Sequence, residues 1–213
     1  NKSNKIPFNE NSPYNPYMNY GKSKMLMERY LKNKINLGFD ITIIRSPWFY
    51  GDYMPERQYS FYNMIKNGKV PIIGNGKNLR SKANIKNIAQ GILLISDKKI
   101  SKGKIYWIAD EQTYSYNEII NTIRKVLTEE LKIKTKKTSI KIPNFFGDIF
   151  WLVDYAFQKL GYYNQKIHVA SELNKNIFCS IDLAKKELGY NPKINLYKGL
   201  KKTLNNQVKN LLE

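Results

Sequence analysis

Short β-branched runs alternate with longer stretches of helical period along this chain, and that alternation constrains its fold class most. Asp40 to Arg45, Val70 to Ile73, Lys104 to Ala109 and Lys136 to Ile142 read as strands. Tyr17 to about Lys34, Glu56 to Asn67, Lys86 to Ser96 and Ser115 to about Leu131 carry apolar residues three and four apart, as helices do. Gly38 and Gly68 follow the first two as stops, and Ser115 with Glu118 three positions on forms a capping-box start. Further along, Phe145 to Leu160 reads as an amphipathic helix, aromatic on one side. Ile181-Asp182 opens a short helix stopped by Gly189, and Tyr197 to Leu212 forms a last helix. Residues 1–16, with Pro7, Pro13 and Pro16, read as a loop, and residues 79–83 as extended chain. Strands alternating with helices predict an α/β chain.

Composition narrows the functional classes. At 213 residues and 42% hydrophobic content, the chain can bury a real core, with room for a small annex. No apolar run is long enough to span a bilayer; Asp148, Asp154 and Lys159 interrupt the nearest candidate, Phe145 to Leu160. That helix reads as closing a domain rather than lying on a membrane. Cys179, the single cysteine, has neither a disulfide partner nor metal-site company and reads as a small core residue. His168, the one histidine, reads as structural or surface. With no signal peptide at the start, a cytoplasmic setting is expected. The net charge of +19 suggests nucleic acid at first sight. The excess is lysine spread along the whole chain, with no basic stripe interleaved with aromatics, so no nucleic-acid partner is expected.

The stretch Tyr20-Gly21-Lys22-Ser23-Lys24 carries the chemistry. Four residues apart on a helix, Tyr20 and Lys24 stand on one face. A free phenol, with a pKa of about 10, is a poor base at neutral pH. An ammonium held close favours the phenolate. Such a tyrosine takes a proton from an alcohol or returns one to a carbonyl while a cofactor moves hydride. Spacing alone also fits a solvated lysine beside a half-buried tyrosine.

Four further segments follow in order: Arg45-Ser-Pro-Trp-Phe-Tyr-Gly51, Ile73-Gly-Asn-Gly-Lys-Asn-Leu-Arg80, Ile85-Lys-Asn-Ile-Ala-Gln-Gly91 and Asp182-Leu-Ala-Lys-Lys-Glu-Leu-Gly-Tyr-Asn-Pro192. Together with Tyr20-x-x-x-Lys24 this series resembles the extended short-chain dehydrogenase/reductases, the NAD-dependent epimerase/dehydratase family. The resemblance implies the later part of a Rossmann-type NAD(P)-binding fold plus a smaller α/β substrate domain. Residues 1–50 would hold the Rossmann part and residues 51–213 mainly the substrate domain, with about 85–110 returning to the Rossmann sheet. It implies Tyr20 as general acid/base, and Lys24 on the nicotinamide ribose. Pro47, Trp48 and Phe49 would lie beside the nicotinamide, and Arg80 and Tyr50 would contact substrate. The implied cofactor is NAD or NADP and the implied substrate a nucleotide-diphosphate sugar. Homodimerisation through the Tyr20 helix is a family habit that Met18, Met25 and Leu26 allow.

The chain departs from that pattern in places. Ser46 stands where the family commonly has proline directly after the arginine. Lys86 stands where an aspartate usually opens the next helix, so a capping carboxylate is expected to be missing there. Lys82-Ala83-Asn84 are smaller or more polar than usual. No Gly-x-Gly-x-x-Gly phosphate loop is present. The family's catalytic Ser or Thr has no confident counterpart either. The chain therefore resembles the C-terminal two thirds of a complete enzyme, and alone is expected to be inactive. Two other functions remain open. Ile167 to Asp182 is also similar to hydroxysteroid-dehydrogenase-like relatives, which implies a steroid or small-ketone reductase. A non-catalytic binding module is the remaining alternative.

Overall fold

A computed structural model describes residues 6–16, 18–52 and 55–207. Its helices are α1 (Asn19–Asn36), α2 (Glu56–Lys66), α3 (Ile85–Asp97), α4 (Tyr116–Lys125), α5 (Phe146–Lys159), α6 (Gln165–Glu172), α7 (Asp182–Leu188) and α8 (Leu196–Gln207). Its strands are β1 (Ile43–Arg45), β2 (Phe49–Tyr50), β3 (Pro71–Ile73), β4 (Leu79–Ser81), β5 (Ala83–Asn84), β6 (Ile105–Trp107), β7 (Thr113–Ser115) and β8 (Ile140–Ile142). Three ladders are parallel, β1 with β6, β2 with β5 and β3 with β8; β4 and β7 pair antiparallel. The chain is thus mixed α/β, as the alternation predicts.

Two hydrophobic clusters hold the elements. The smaller surrounds β1 and β6. Tyr106 and Ile108 are fully buried there with Ala184 and Leu188 of α7, and α3 packs Ile88 and Ile95 against them. Gly91 lets α3 approach closely, since a Cβ there would stand 2.9 Å from Ile108 Cγ2. The N-terminal segment, read from sequence as a loop, adds to this cluster. Phe8 is buried and bridges Cys179, with Phe8 N–H donating to the Phe178 carbonyl at 2.9 Å and Ser180 N–H donating to the Phe8 carbonyl at 2.8 Å. The larger cluster collects β3, α2, α4 and α8 around Ile65, Val70, Ile120, Leu127, Leu200 and Leu204. Each such side chain, fully buried, contributes about 1.5–3 kcal/mol of apolar transfer.

Local chemistry sets most boundaries. Ser115 Oγ accepts from Glu118 N–H at 3.1 Å, while the Glu118 carboxylate accepts from Ser115 N–H at 2.6 Å, completing the box that starts α4. That helix continues to Glu130 as a π-helical turn, close to the expected Leu131 end. Gly189, at φ 65°, ends α7 in the left-handed region. The strands are shorter than the sequence runs, and only Ile140–Ile142 of the expected Lys136–Ile142 strand is paired. One helix, α6, was not expected: Asn164 caps it, accepting from Lys166 N–H at 3.0 Å. The expected start at Tyr17 and the end beyond residue 207 lie outside the described residues.

The outer face of α1 is open. Met18 is buried, but Leu26 and Tyr30 are 59% and 61% exposed, and no residue of α1 itself is buried. The apolar positions of this helix are thus largely uncovered in this chain. On α5, Phe145, Ile149, Leu152 and Leu160 are likewise exposed, while Asp154 and Gln158 face inward. Among the described residues, no helix is long and apolar enough to cross a membrane.

Candidate active site

The first turn of α1 places Tyr20 and Lys24 on one exposed side, with Lys24 Nζ 5.6 Å from the Tyr20 ring centroid. Tyr20 is 63% exposed, so its phenol is open to a ligand. Beside it lies a cavity of about 320 Å³ lined by Asn19, Tyr20, Gln158, Gly161, Tyr162 and Tyr163. Gln158, on the last turn of α5, accepts a hydrogen bond from Asn19 N–H through Oε1 at 3.0 Å. Asp154, one turn earlier and 1% exposed, accepts from Gln158 Nε2 at 3.0 Å and meets His168 Nδ1 at 2.7 Å.

A second group forms where β2 meets β5. Trp48 is half exposed, with the Arg80 guanidinium 5.7 Å from its ring centroid and Lys82 Nζ at 4.8 Å. Both cations draw on the ring's negative face. Arg80 is buried, and its Nη2 donates to the carbonyl oxygen of Glu172 at the end of α6. Phe49 is exposed and Pro47 half-buried. Tyr50 is 4% exposed and donates its hydroxyl to Asp110 at 2.8 Å. Its expected substrate contact is therefore not presented here, because the hydroxyl is already engaged inside the core.

The structure thus gathers Tyr20 with Lys24, and separately Trp48 with Arg80. Helix α6 receives Arg80 directly at the Glu172 carbonyl, and is linked to the start of α1 through His168, Asp154 and Gln158. His168 was read as structural or surface, and its ring takes part in this inward-facing linkage.

Two residues were missed as candidates. Lys82 sits against Trp48, and burial, aided by the Arg80 charge and opposed by Asp110, brings its ammonium down to about 7. The only sequence signal was a lysine at a position the resemblance makes apolar. Asp110 follows the apolar run Ile105–Ala109 and is buried. Its Oδ1 accepts from Asn84 N–H at 2.8 Å and from Asn87 Nδ2 at 2.7 Å. Burial raises its pKa, against the lowering effect of these bonds and of Tyr50. The cap of α3 is the Asn84 side chain, whose Oδ1 accepts from Lys86 N–H at 3.0 Å, and Asp110, just past β6, brings a carboxylate against Asn84 and Asn87 of that helix start. The expected capping carboxylate is thus absent from residue 86, and a carboxylate reaches the site from a distant segment.

The sequence profile described as the NAD dependent epimerase/dehydratase family matches residues 1–109. The chain belongs to this family. It is 46% identical over 205 residues to the uncharacterized protein y4nL of Sinorhizobium fredii, covering 95% of this chain and 58% of that one. It is 27% identical over 181 residues to the N-acetyl-alpha-D-glucosaminyl-diphospho-ditrans,octacis-undecaprenol 4-epimerase of Escherichia coli O157:H7, covering 83% and 52%. Among solved structures it is similar to the UDP-glucuronic acid 4-epimerase of Bacillus cereus in complex with UDP-glucuronic acid and NAD. There the TM-score is 0.69 at 19% identity, over 96% of this chain and 56% of that one. The dTDP-glucose 4,6-dehydratase of Bacillus anthracis, in complex with NAD, gives 0.69 at 17% identity over 99% and 60%. At these identities the structures show the fold, the later part of a Rossmann-type epimerase/dehydratase chain. The chain spans little more than half the length of these relatives.

The family is NAD-dependent. Tyr20, exposed on α1, lines an open cavity, with Lys24 one turn further along the same helix. For the diphosphate half, no glycine-rich turn opens a helix in this sequence. Gly74-Asn75-Gly76 leads instead into β4. Among the described residues no group of His, Cys, Asp and Glu could hold a metal ion.

Proposed function

We propose that the protein serves NAD-dependent epimerisation or dehydration of a sugar carried on a diphosphate, with Tyr20 as general acid/base. The observation that carries this reading is the exposed Tyr20, which lines a 320 Å³ cavity and has Lys24 Nζ 5.6 Å from its ring centroid. When bound, the nicotinamide supplies hydride acceptance and return. Tyr20 takes the proton from the sugar hydroxyl being oxidised and gives it back on reduction. Lys24 holds the ribose hydroxyls. Pro47, Trp48 and Phe49 form a wall toward the ring. Arg80, on Trp48, is the guanidinium proposed for the diphosphate, a pairing its planar fork suits; in this chain it is buried on the Glu172 carbonyl and meets the diphosphate only on leaving that bond.

A nucleotide carrier is the first reading for the diphosphate. A polyisoprenoid carrier, the kind named for the Escherichia coli relative, is the second. It is favoured by the exposed Ile149, Leu152 and Leu160 of α5, which lead toward Tyr162 and Tyr163 at the cavity. The exposed Leu26, Met27 and Tyr30 of α1 are proposed as a homodimer face.

The test uses the full-length protein. Tyr20→Phe abolishes turnover of the diphosphate sugar while NAD still binds; turnover at the wild-type rate refutes the assignment. Arg80→Lys, which keeps the buried charge, weakens binding of nucleotide sugar more than that of NAD. Binding of a steroid but not of a sugar diphosphate would instead favour the reductase alternative.

A further inference from the structure

Helix α1 starts without a cap of its own. Met18 occupies the N-cap with no side-chain hydrogen bond, and the first turn holds no acidic residue. The first amides of a helix have no intrahelical partner, and a polar acceptor placed there fixes the turn. Gln158 supplies that acceptor from a residue 139 positions away, at 3.0 Å from Asn19 N. Asn19 immediately precedes Tyr20.

The amide of Gln158 has one free choice, which way it is turned. Asp154 removes it. A buried carboxylate oxygen accepts from Nε2 at 3.0 Å, so Oε1 is left facing Asn19. The other carboxylate oxygen is engaged by His168 Nδ1 at 2.7 Å, and the Tyr163 ring lies 5.7 Å from the His168 ring. Tyr163 in turn lines the same cavity as Tyr20 and Gln158. Both oxygens of Asp154 and both polar atoms of the Gln158 amide thus have directed partners, and the line ends on the backbone that carries the phenol.

We propose that Gln158, oriented by Asp154 and His168, is a positioning residue that caps the first turn of α1 and so sets the place of the Tyr20 phenol against substrate. The role rests on the Tyr20 assignment above. The hairpin of α5 and α6 acts through it on the acid/base, while its other end receives Arg80 at Glu172. The same hairpin therefore meets both Arg80 and the first turn of α1.

The experiment compares Gln158→Leu, Gln158→Glu and the exchange Gln158→Glu with Asp154→Asn in the full-length protein. The exchange moves the carboxylate to residue 158 and the amide to residue 154. It keeps both the acceptor for Asn19 N–H and the bond between the two side chains, and the residue 154 amide oxygen still accepts from His168. Gln158→Leu lowers kcat about five- to tenfold with KM little changed, as the loss of one cap implies. It also speeds amide hydrogen exchange at Asn19 and at Lys22, whose N–H closes the first turn on the Met18 carbonyl. Gln158→Glu alone sets two carboxylates together and loses activity, and the exchange variant restores both kcat and protection. Unchanged exchange at Asn19 in a folded Gln158→Leu protein overturns the cap itself. Protection lost without any fall in kcat, or no rescue by the exchange variant, overturns the positioning role. Undiminished turnover in Tyr20→Phe removes the assignment on which it rests, a result the exchange measurement does not share.

Discussion

Lys82 stores a cost that a single substitution removes. Its ammonium is partly buried between the Trp48 face and the Arg80 charge, and its pKa falls from 10.5 to about 7, chiefly through burial. At roughly 1.4 kcal/mol per tenfold change in proton affinity, the full displacement corresponds to at most about 5 kcal/mol. A flexible side chain that keeps some exposure recovers much of this by swinging its amine outward. Lys82→Met also forfeits a cation–π contact of about 0.5–1 kcal/mol. The expected net gain at pH 6 is therefore roughly 1–2 kcal/mol, or a Tm about 3–6 °C higher. The sign with pH follows from proton linkage. In the window between about 7 and 10.5 the unfolded chain binds the proton that the folded chain has released, so wild-type stability rises with pH. Below that window the penalty is complete. The Met variant's advantage is thus largest at pH 6 and disappears near pH 10.5. Thermal unfolding at pH 6, 8 and 10.5 measures it. A variant less stable than wild type at pH 6, or a Tm difference that does not change with pH, refutes the reasoning.

Further predictions concern how α1 is held to β1 and how closely α8 approaches its neighbours. Glu28 of α1 receives Arg45 of β1 at 2.7 Å and the Tyr14 hydroxyl at 2.8 Å. Burial pulls the carboxyl pKa up, yet these partners outweigh it and leave it lowered. Glu28→Ala leaves the Arg45 charge buried without its carboxylate and costs about 3 kcal/mol in a urea titration at pH 7. In the wild type the pair's contribution is present above the ordinary carboxylate range and is lost as the pH falls through the lowered pKa. Gly199 of α8 faces Asn84 Nδ2 and Tyr50 Cε2, which a Cβ would meet at 2.5 and 2.6 Å. Gly199→Ala is expected to destabilise by about 1–3 kcal/mol despite alanine's better helix propensity, and a calorimetric Tm above wild type would contradict it. Ser115→Ala removes one side of the capping box and lowers stability by about 1 kcal/mol, read from the same melts.

Local patterns were legible wherever a single stretch of chain decides the outcome. The capping box at Ser115 and Glu118 formed as written, because both partners lie within one turn. Gly189 ended α7, because a left-handed φ suits glycine whatever surrounds it. Helix α6 was missed because its start depends on Asn164 after a loop, with only eight residues of weak periodicity to announce it. The burial of Tyr50 was hidden for the opposite reason. An aromatic beside the Trp48 segment reads as a substrate contact until Asp110, sixty positions on, takes its hydroxyl.

By itself, the sequence determined the α/β class, most of the helices and the ordered motifs that mark the epimerase/dehydratase family. These depend on periodicity and on spacing within short segments, which a linear reading preserves. Tertiary structure alone decided that α1 leaves Leu26 and Tyr30 uncovered and that Lys82 lies against Trp48. It also decided that Asp110 serves the start of α3 and that Gln158 caps the helix of Tyr20. Burial and long-range hydrogen bonds set the protonation and orientation of polar groups, and both arise only when distant segments meet in a medium that excludes water.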